Sequence, residues 1–226
     1  SSSTFIIYFS LPAKSLTDSI LLILVLTWSL RLGLFLFRRI LEDGHDTRFD
    51  KPKQSFFHFL QYWTGQAMWV SFTCIAVYVA MISQENNALS IVSLIGIFIW
   101  VAGFVIEVVA DSQKRNFRKD INNKGRFIST GLWSRSRHPN YFGEITLWVG
   151  ISVISLNSLS GIGYVALISP FFVYALLSKG SGIPLLERSA DKKWGNESDY
   201  QVYKKGTPVL FPKLFNNIKQ SNDNGN

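Results

Sequence analysis

The sequence predicts an all-α protein that crosses a membrane several times as a bundle of transmembrane helices. Two features of composition support this fold class: 47% of the 226 residues are hydrophobic and 15% are aromatic, whereas only 17% are charged. A third observation is that five long runs are poor in charge, and one span needs about 20 mostly apolar residues. These runs cover residues 20–37, 67–83, 88–110, 141–156 and 161–177. About five spans leave no room for a separate soluble domain.

The first run is predicted to be a span and not a cleaved signal peptide. It is long, it has no small-residue cleavage site, and Arg38 and Arg39 follow it instead of preceding it. Ahead of it, residues 5–11 form a short apolar segment that ends at Pro12 and cannot span. Because the chain has no initiator Met, we expect one or more further helices before this segment.

Segments rich in basic residues alternate along the chain with connections that carry no Lys or Arg. Segments 38–63, 111–140 and 180–226 carry five, eight and seven Lys or Arg, whereas connections 84–87 and 157–160 carry none. The positive-inside rule therefore predicts that the basic segments and the C-terminus face the cytosol. We expect a multi-pass protein of the endoplasmic reticulum if eukaryotic, or of the inner membrane if bacterial. Nucleic acid is not expected as a partner, since basic residues beside spans need no ligand to explain them.

The chain is predicted to form one membrane-embedded domain over residues 1–215, followed by a disordered tail over residues 216–226. The connection 157–160 is so short that the last two spans must form a tight antiparallel hairpin. Pro170 lies within the second of these spans and is predicted to kink it. Segment 181–215 mixes charged and aromatic residues, which suits a folded cap on the membrane face.

The end of the third run, "FVIEVVADSQKRNFRKD", places ionisable residues on one helical face. At about 100° per residue, Glu107, Asp111 and Arg118 fall within roughly 40° of each other, and Lys114 lies on the same stripe. Carboxylates at the end of a span are costly unless they are paired or bind a ligand, so the pattern indicates a functional site. The alternative is an intrahelical ion pair of Asp111 with a neighbouring basic residue just outside the bilayer.

The stretch "SRHPNYFGE" places polar residues at the start of the fourth run. Pro139 disfavours helix at His138 and suits the first turn of a helix that starts at residue 140 or 141. Arg137 and His138 then lie at a helix N-terminus, whose free N–H groups favour an anionic ligand. Asn140 is predicted to cap this helix. The alternative is that Arg137 contacts lipid headgroups and His138 caps a loop.

Two further ionisable residues lie within predicted spans. Glu144 is one turn inside the fourth run, where a carboxylate must face protein or ligand. Arg31 lies in the middle of the first run, at a cost of at least about 2.5 kcal/mol. It could extend to the cytosolic surface about two turns away, or it could face the same cavity as Glu107, Asp111 and Glu144. Both interpretations of Arg31 remain open.

Several classes of site are missing from the sequence. It has no strand followed by GxGxxG, no P-loop and no nucleophile elbow. His45, His58 and His138 lack metal-ligand spacing, and the single cysteine, Cys74, can form neither an internal disulfide nor a cysteine metal site. We therefore expect no metal. The residues fit a basic and aromatic cavity that takes an anionic or nucleotide-like cofactor from water and an apolar substrate from lipid.

Three stretches resemble the DUF1295 family of the steroid 5-alpha-reductase, sterol reductase and isoprenylcysteine carboxyl methyltransferase superfamily. They are "WSLRLGLFLFRRILEDGHDTRF", "GRFISTGLWSRSRHPNYFGEITLWVGI" and "GIPLLERSADKKWG…DYQVYKKGTPVLFP". The resemblance covers roughly residues 24–213. It implies a bundle of transmembrane helices around a cofactor cavity open to the cytosol, which makes the main domain similar to the C-terminal domain of steroid 5-alpha-reductases.

In the reductases of this superfamily the cofactor is NADPH, and the resemblance implies which residues contact it. An Arg near the adenosine end would explain a preference for NADPH over NADH, because it can pair bidentately with the 2′-phosphate. The implied cofactor contacts are Arg31, Arg39, Glu107, Asp111, Arg118, Arg137, His138, Asn140, Tyr141 and Glu187, and Glu144 matches a Gly-Glu pair of the family.

The sequence departs from the steroid reductases at the catalytic acid. Those enzymes use a Tyr and a Glu to polarise the enone carbonyl, but alignment on Arg31 places Trp28 where the Tyr would be. An indole cannot act as the acid, and the partner Glu would fall before the start of this sequence. The catalytic residues are therefore unknown, with Tyr141, Glu144 and Tyr174 as candidates and Tyr78 as a further tyrosine that has suitable chemistry.

Three functions remain possible at this point. The first is NADPH-dependent reduction of a carbon–carbon double bond in a lipid or sterol-like substrate. The second is a methyltransferase of the isoprenylcysteine type that uses S-adenosylmethionine (SAM), since that branch also has an HPxY turn and a C-terminal Glu, here Glu187. The third is a non-catalytic lipid-binding membrane protein. Arg118 and the surplus of basic residues favour a phosphorylated cofactor over SAM.

Overall fold

The computed structural model describes residues 2–43, 55–83, 88–180 and 182–213. Within them the chain is helical and has no strand, which confirms the predicted all-α class. Short 3₁₀ helices cover Ile121–Asn123, Gly131–Ser134, Leu156–Ser158 and Gly161–Ile168. The α-helices are α1 (Ser2–Ser10), α2 (Leu16–Asp43), α3 (Phe56–Thr73), α4 (Ile75–Ser83), α5 (Ile91–Lys119), α6 (Pro139–Ser155), α7 (Ser169–Ala175), α8 (Ile183–Trp194) and α9 (Ser198–Gly206). The predicted connection 84–87 and tail 216–226 lie outside the described residues.

The apolar helices make this a multi-pass membrane protein. Three stretches among the described residues are long and apolar enough to cross a membrane: Leu16–Arg38, Ile91–Lys119 and Gly161–Trp194. Helices α3 and α4 add a fourth if they are counted as one broken span. The predicted span 141–156 corresponds to α6, which has 17 residues. Its length of about 26 Å is short of the roughly 30 Å hydrocarbon core.

The predicted span 67–83 is bent in the structure. Helix α3 begins earlier than predicted, at Phe56, and meets α4 at Cys74 with a bend of 52°. Cys74 has φ −89° and ψ 3°, which is the bridge region and not helical geometry. The hydroxyl of Ser169 donates a hydrogen bond to the carbonyl oxygen of Thr73 at this break. Because neither proline nor glycine lies at the bend, no residue type in the sequence indicates it.

Pro170 lies where the helix type changes along the last predicted span. The segment from residue 161 winds as a 3₁₀ helix over Gly161–Ile168, as α7 over Ser169–Ala175 and as a π-helical turn over Leu176–Gly180. Pro170 lies in the first turn of α7, where a missing N–H costs no intrahelical hydrogen bond. The predicted kink at Pro170 stays a prediction, at the point where the 3₁₀ helix passes into α7.

The chain divides into two compact units. The first unit comprises Ser1–Phe104 and Ile145–Leu176, and the second comprises Val105–Glu144 and Leu177–Asn226. In the first unit, the buried rings of Trp28 and Trp148 meet edge to face with their centroids 5.0 Å apart. Other large apolar side chains of α2, such as Ile23 and Leu30, are exposed. Exposed apolar side chains are expected where a helix faces lipid.

In the first unit, α5 and α6 approach each other backbone to backbone. A Cβ atom at Gly150 would lie 2.6 Å from the backbone nitrogen of Trp100 and 2.7 Å from the carbonyl oxygen of Gly96. A Cβ atom at Gly96 would in turn lie 2.7 Å from the backbone nitrogen of Ile154. Only glycine fits at these two positions, and small residues at membrane helix crossings permit such close packing.

Candidate functional site

In the second unit, the 3₁₀ helix Gly131–Ser134 is fastened to both α5 and α9. The indole N–H of Trp133 donates to the carbonyl of Ala110 at 3.0 Å. The backbone N–H of Leu132 donates to Oε1 of Gln113 at 2.9 Å. From α9, the hydroxyl of Tyr203 donates to the carbonyl of Trp133 at 2.8 Å. These bonds fix the chain that leads into α6.

The segment after α9 pairs with the residues just before α6. The backbone N–H of Arg137 donates to the carbonyl of Pro208 at 2.9 Å, and the hydroxyl of Ser136 donates to the carbonyl of Leu210 at 2.8 Å. Helix α6 begins at Pro139, so Asn140 is its second residue. The prediction that Asn140 caps the helix is therefore wrong, because Pro139 is already helical.

Glu187 of α8 joins the two basic residues ahead of α6. Its Oε2 lies 3.1 Å from Nη2 of Arg137, and its Oε1 lies 2.8 Å from Nε2 of His138. The Nη1 of Arg137 also donates to the carbonyl of Lys204 at 3.3 Å. The side chains of Arg137 and His138 are only 11% and 6% exposed. Hydrogen bonds between charged groups are strong at such depth, so Glu187 fixes the positions of both neighbours.

His138 is held mainly in its neutral form. Burial lowers its pKa below the ordinary value, an effect that Glu187 partly offsets. A neutral ring then donates its Nε2–H to Glu187 and carries its unprotonated nitrogen at Nδ1. This Nδ1 atom is buried and has no hydrogen-bond partner among the described residues. The ring stacks on Tyr141, with centroids 5.7 Å apart and planes 12° apart.

An aromatic cluster surrounds Phe127. Its ring centroid lies 5.3 Å from that of Tyr200, 5.3 Å from that of Tyr203 and 6.1 Å from that of Trp194. Burial is the main factor that raises the pKa of Tyr200 to about 12, and it raises the pKa of Tyr203 as well. Both phenols therefore remain uncharged at neutral pH.

A cavity of about 190 Å³ lies within the second unit between these groups. It has basic residues from α5 and from the turns before α6, a carboxylate from α8, and aromatic rings from α5, the turns before α6, α8 and α9. The lining residues are Lys114, Phe117, Arg118, Arg126, Phe127, Ile128, Trp133, Arg137, His138, Leu186, Glu187, Ser189, Ala190, Trp194, Tyr200 and Tyr203.

The cavity is strongly cationic. Lys114, Arg118, Arg126 and Arg137 line it, against the single carboxylate of Glu187. Glu187 is already paired with Arg137, and the ammonium of Lys114 lies 4.6 Å from the ring centroid of Trp133. Arg118 and Arg126 form no ion pair within the described part of the chain. The same part contains no group of three His, Cys, Asp or Glu that could hold a metal ion.

The structure brings together four of the residues predicted to bind a cofactor: Arg118, Arg137, His138 and Glu187 line the cavity. The other predicted contacts whose side chains are described do not line it. The side chain of Arg39 lies outside the described residues. Glu107, Asp111, Asn140, Tyr141 and Glu144 belong to the same unit, whereas Arg31 and the candidate catalytic Tyr174 belong to the first unit.

Sequence reasoning missed most of the aromatic lining and Arg126. Phe127, Trp133 and Trp194 come from three separate segments, and their proximity depends on the tertiary fold. One signal was available, since segment 181–215 has aromatic residues among its charges in a part of the chain outside the predicted spans. Aromatic residues in such a position are expected to pack or to bind a ring.

Curated proteins with similar sequences include two steroid enzymes and one methyltransferase. The 3-oxo-5-alpha-steroid 4-dehydrogenase 1 of Macaca fascicularis is 30% identical over 122 residues, which cover 54% of this chain and 41% of that protein. The human protein of the same name is 33% identical over 122 residues, which cover 54% and 42%. The probable O-methyltransferase ustE of Ustilaginoidea virens is 30% identical over 99 residues, which cover 43% and 32%.

These matches span less than half the length of each relative. No solved structure matches the chain. The family comparison is much broader, because the family described as protein of unknown function, DUF1295, matches residues 2–207. This range contains the helices α1 to α9 and all the residues that line the cavity. The resemblance seen in the sequence is thus confirmed, and the chain belongs to the DUF1295 family.

Proposed function

We propose that this protein is a membrane oxidoreductase that uses NADPH to reduce a carbon–carbon double bond in a lipid or sterol-like substrate. The observation that carries the proposal is the cavity of the second unit. It combines four Lys or Arg side chains with six aromatic side chains. Cations favour phosphate groups, and aromatic rings favour a flat heterocycle, so the two sets together suit a phosphorylated nucleotide.

The basic residues of the cavity differ in whether they already form an ion pair, and this difference suggests which of them bind phosphate. Arg118 and Arg126 have no ion pair among the described residues, so their guanidinium groups can take phosphate oxygens without losing an existing partner. Arg137 is held by Glu187 and by a backbone carbonyl. It therefore contributes a positive charge at a fixed position. Bound NADPH would supply the hydride, and the protein would supply binding and orientation.

The membrane setting and the relatives support the proposed substrate class. The apolar helices of the first unit suit a substrate that arrives from lipid, and two relatives are named as steroid dehydrogenases. Tyr141, Glu144 and Tyr174 remain the proposed catalytic candidates. The other predicted cofactor contacts, Arg31, Arg39, Glu107, Asp111 and Asn140, remain proposals that rest on the family resemblance.

We also propose the orientation that the charge pattern predicts. The basic segments and the C-terminus would face the cytosol, where NADPH is available, in the endoplasmic reticulum or in a bacterial inner membrane. A substrate could then enter from lipid while the cofactor enters from water.

A methyltransferase that uses SAM is the second candidate. The similarity to the probable O-methyltransferase ustE favours it, as does a carboxylate, Glu187, at the cavity. The electrostatics oppose it, because SAM carries a positive sulfonium and no phosphate. A cavity with four cations and one paired carboxylate repels a sulfonium and attracts phosphates.

The test is binding of NADPH, NADH and SAM to the purified protein in detergent. We expect NADPH to bind more tightly than NADH, and Arg118→Ala to weaken NADPH by at least about tenfold, the loss expected for one charge-assisted contact of 1.5–3 kcal/mol. Arg188→Ala is the matched control, since Arg188 is exposed on α8 and does not line the cavity. It should leave binding unchanged.

The alternatives predict different results. Binding of SAM without binding of NADPH would overturn the reductase in favour of the methyltransferase. Binding of none of the three ligands would favour a non-catalytic lipid-binding protein. Equal weakening by Arg118→Ala and Arg188→Ala would show that the effect comes from overall charge and not from the cavity.

A further inference from the structure

The indole of Trp194 is held in place at the cavity. Trp194 ends α8, and its indole N–H donates a hydrogen bond to the carbonyl of Gly125. Gly125 has a φ of +86°, which only glycine adopts readily, so this carbonyl belongs to a well-defined turn. The ammonium of Lys193 lies 4.5 Å from the centroid of the Trp194 ring. The donor of Trp194 is thus already used, and its remaining interaction surface at the cavity is the aromatic ring.

The hydroxyl protons of the two tyrosines in the cluster are also already used in hydrogen bonds. The Tyr200 hydroxyl donates to Asp191 at 3.2 Å, and the Tyr203 hydroxyl donates to the carbonyl of Trp133 at 2.8 Å. Phe127 has no polar group. The aromatic side of the cavity therefore offers rings, not hydrogen-bond donors, and it suits a flat ring that stacks.

The size of the cavity limits what this side can hold. A volume of about 190 Å³ is below the roughly 300–1,000 Å³ of sites that enclose a complete ligand. It accommodates one end of a dinucleotide. Of the two ends, the nicotinamide ring is neutral in NADPH but becomes positively charged once the hydride has been transferred, and four neighbouring cations would repel that product. Adenine is neutral at physiological pH and is attached to the phosphates that the cations attract.

We propose that Trp194 and Phe127 form the base subsite of this cavity and that the adenine ring of the cofactor stacks on Trp194. The inference rests on the proposed function for its ligand, NADPH. The shared chemistry is an adenosine group, which SAM also carries. Trp194 is thus a specificity-determining residue that binds the base, whereas Arg118 and Arg126 bind the phosphates.

The test compares Trp194→Ala with Trp194→Phe in the full chain in detergent. The probes are NADPH, adenosine 2′,5′-bisphosphate, which has the base but no nicotinamide, and nicotinamide mononucleotide, which lacks the base. One base–aromatic stack is worth about 1–3 kcal/mol, so Trp194→Ala should weaken the first two probes by about five- to 150-fold. Trp194→Phe keeps a ring but no N–H donor, and it should retain affinity to within about threefold.

Two controls separate stacking from damage to the fold. Nicotinamide mononucleotide should bind equally to wild-type protein and Trp194→Ala. The matched control Trp63→Ala removes an exposed tryptophan of the first unit and should change no affinity. If Trp194→Ala weakens all three probes equally, or weakens none of them, the base subsite is wrong.

The outcome also separates this inference from the proposed function. If wild-type protein binds NADPH but Trp194→Ala binds it equally well, the reductase proposal is supported and the base-subsite proposal is wrong. If the protein binds SAM instead, and Trp194→Ala weakens SAM by a similar factor, the base subsite stands and the reductase falls. If neither cofactor binds, both proposals fall.

Discussion

The two units of this protein are stabilised in different ways. In the first unit, α5 and α6 cross at Gly96 and Gly150, where even a Cβ atom would clash. In the second unit, segments far apart in sequence are joined by directed bonds, such as those of Trp133, Tyr203 and Glu187. The comparison teaches that close backbone packing stabilises the first unit at this crossing. In the second unit, hydrogen bonds and ion pairs between distant segments contribute more of the stability. Each unit should therefore be sensitive to a different kind of substitution.

The largest effect is expected at the glycine crossing. Gly150→Leu places a side chain where a Cβ atom is already 2.6 Å from the Trp100 backbone nitrogen. Because backbone atoms of a packed helix cannot move aside, α5 and α6 must separate. We expect loss of a monodisperse folded protein in size-exclusion chromatography in detergent. Gly150→Ala should destabilise by about 1–3 kcal/mol, the usual cost of overpacking.

Gly33→Ala is the matched control for this crossing. Gly33 lies in α2, and a Cβ atom there would meet no heavy atom within 4 Å. Alanine should stabilise the helix by roughly 0.5–1 kcal/mol, because glycine loses more freedom on folding. If Gly150→Ala and Gly33→Ala shift the melting temperature in the same direction, the close crossing does not determine the stability of the first unit.

The second largest effect is expected at Glu187. Glu187→Ala leaves Arg137 and His138 without their shared carboxylate, and both side chains are nearly buried. Loss of one partner of a buried pair costs about 3–5 kcal/mol. We expect a cost at the lower end of this range, because the side chain of Glu187 is itself 19% exposed. For a chain of this size that corresponds to a fall in melting temperature of roughly 6–12 °C.

Glu187→Gln sharpens the same comparison. The amide oxygen can still accept from one neighbour, but the negative charge opposite Arg137 is lost. We expect a melting temperature between those of wild-type protein and Glu187→Ala. If Glu187→Gln and Glu187→Ala melt together, the charge alone matters and the directed geometry does not.

The sequence predicted the helical class and most spans because a long apolar run has few other stable uses. It failed where helix geometry changes without a marker residue. The bend at Cys74 has no proline or glycine, and the change from a 3₁₀ helix to α7 at Ser169 was not predicted. Both features depend on how neighbouring segments meet. The hydroxyl of Ser169 bonding to Thr73, for example, joins residues almost 100 apart in sequence.

The lining of the cavity was predicted in part. Arg137 and His138 could be identified because Pro139 predicts a helix N-terminus beside them, and Arg118 because it shares a helical face with other ionisable residues. Glu187 came only from the family resemblance, since no local pattern connects α8 to the start of α6. Arg126 and Phe127 had no local signal either, because a turn residue acquires a role only through the elements that fold around it.

A smaller effect is expected from one hydrogen bond of the second unit. Tyr203→Phe keeps the ring against Phe127 and removes the bond to the Trp133 carbonyl. A typical hydrogen bond contributes about 1 kcal/mol, so the melting temperature should fall by roughly 2–4 °C. The control Tyr164→Phe removes the hydroxyl of an exposed tyrosine in the first unit. An equal change in both variants would contradict the contrast between the units.

The smallest effect is a dependence on pH that originates in the second unit. Burial lowers the pKa of His138 in the folded protein, so the unfolded chain binds a proton more readily than the folded chain. Stability is therefore complete above the ordinary pKa near 6.5 and declines as the pH falls below it. Arg137 and Lys114 add to the lowering, and Glu187 opposes it. Melting temperatures between pH 7.5 and 5.5 should show this decline, and His138→Gln should flatten it.

His58→Gln is the control, because His58 is exposed on α3. A decline that survives His138→Gln would mean that another group carries the dependence, and one that disappears in His58→Gln would place it in the first unit.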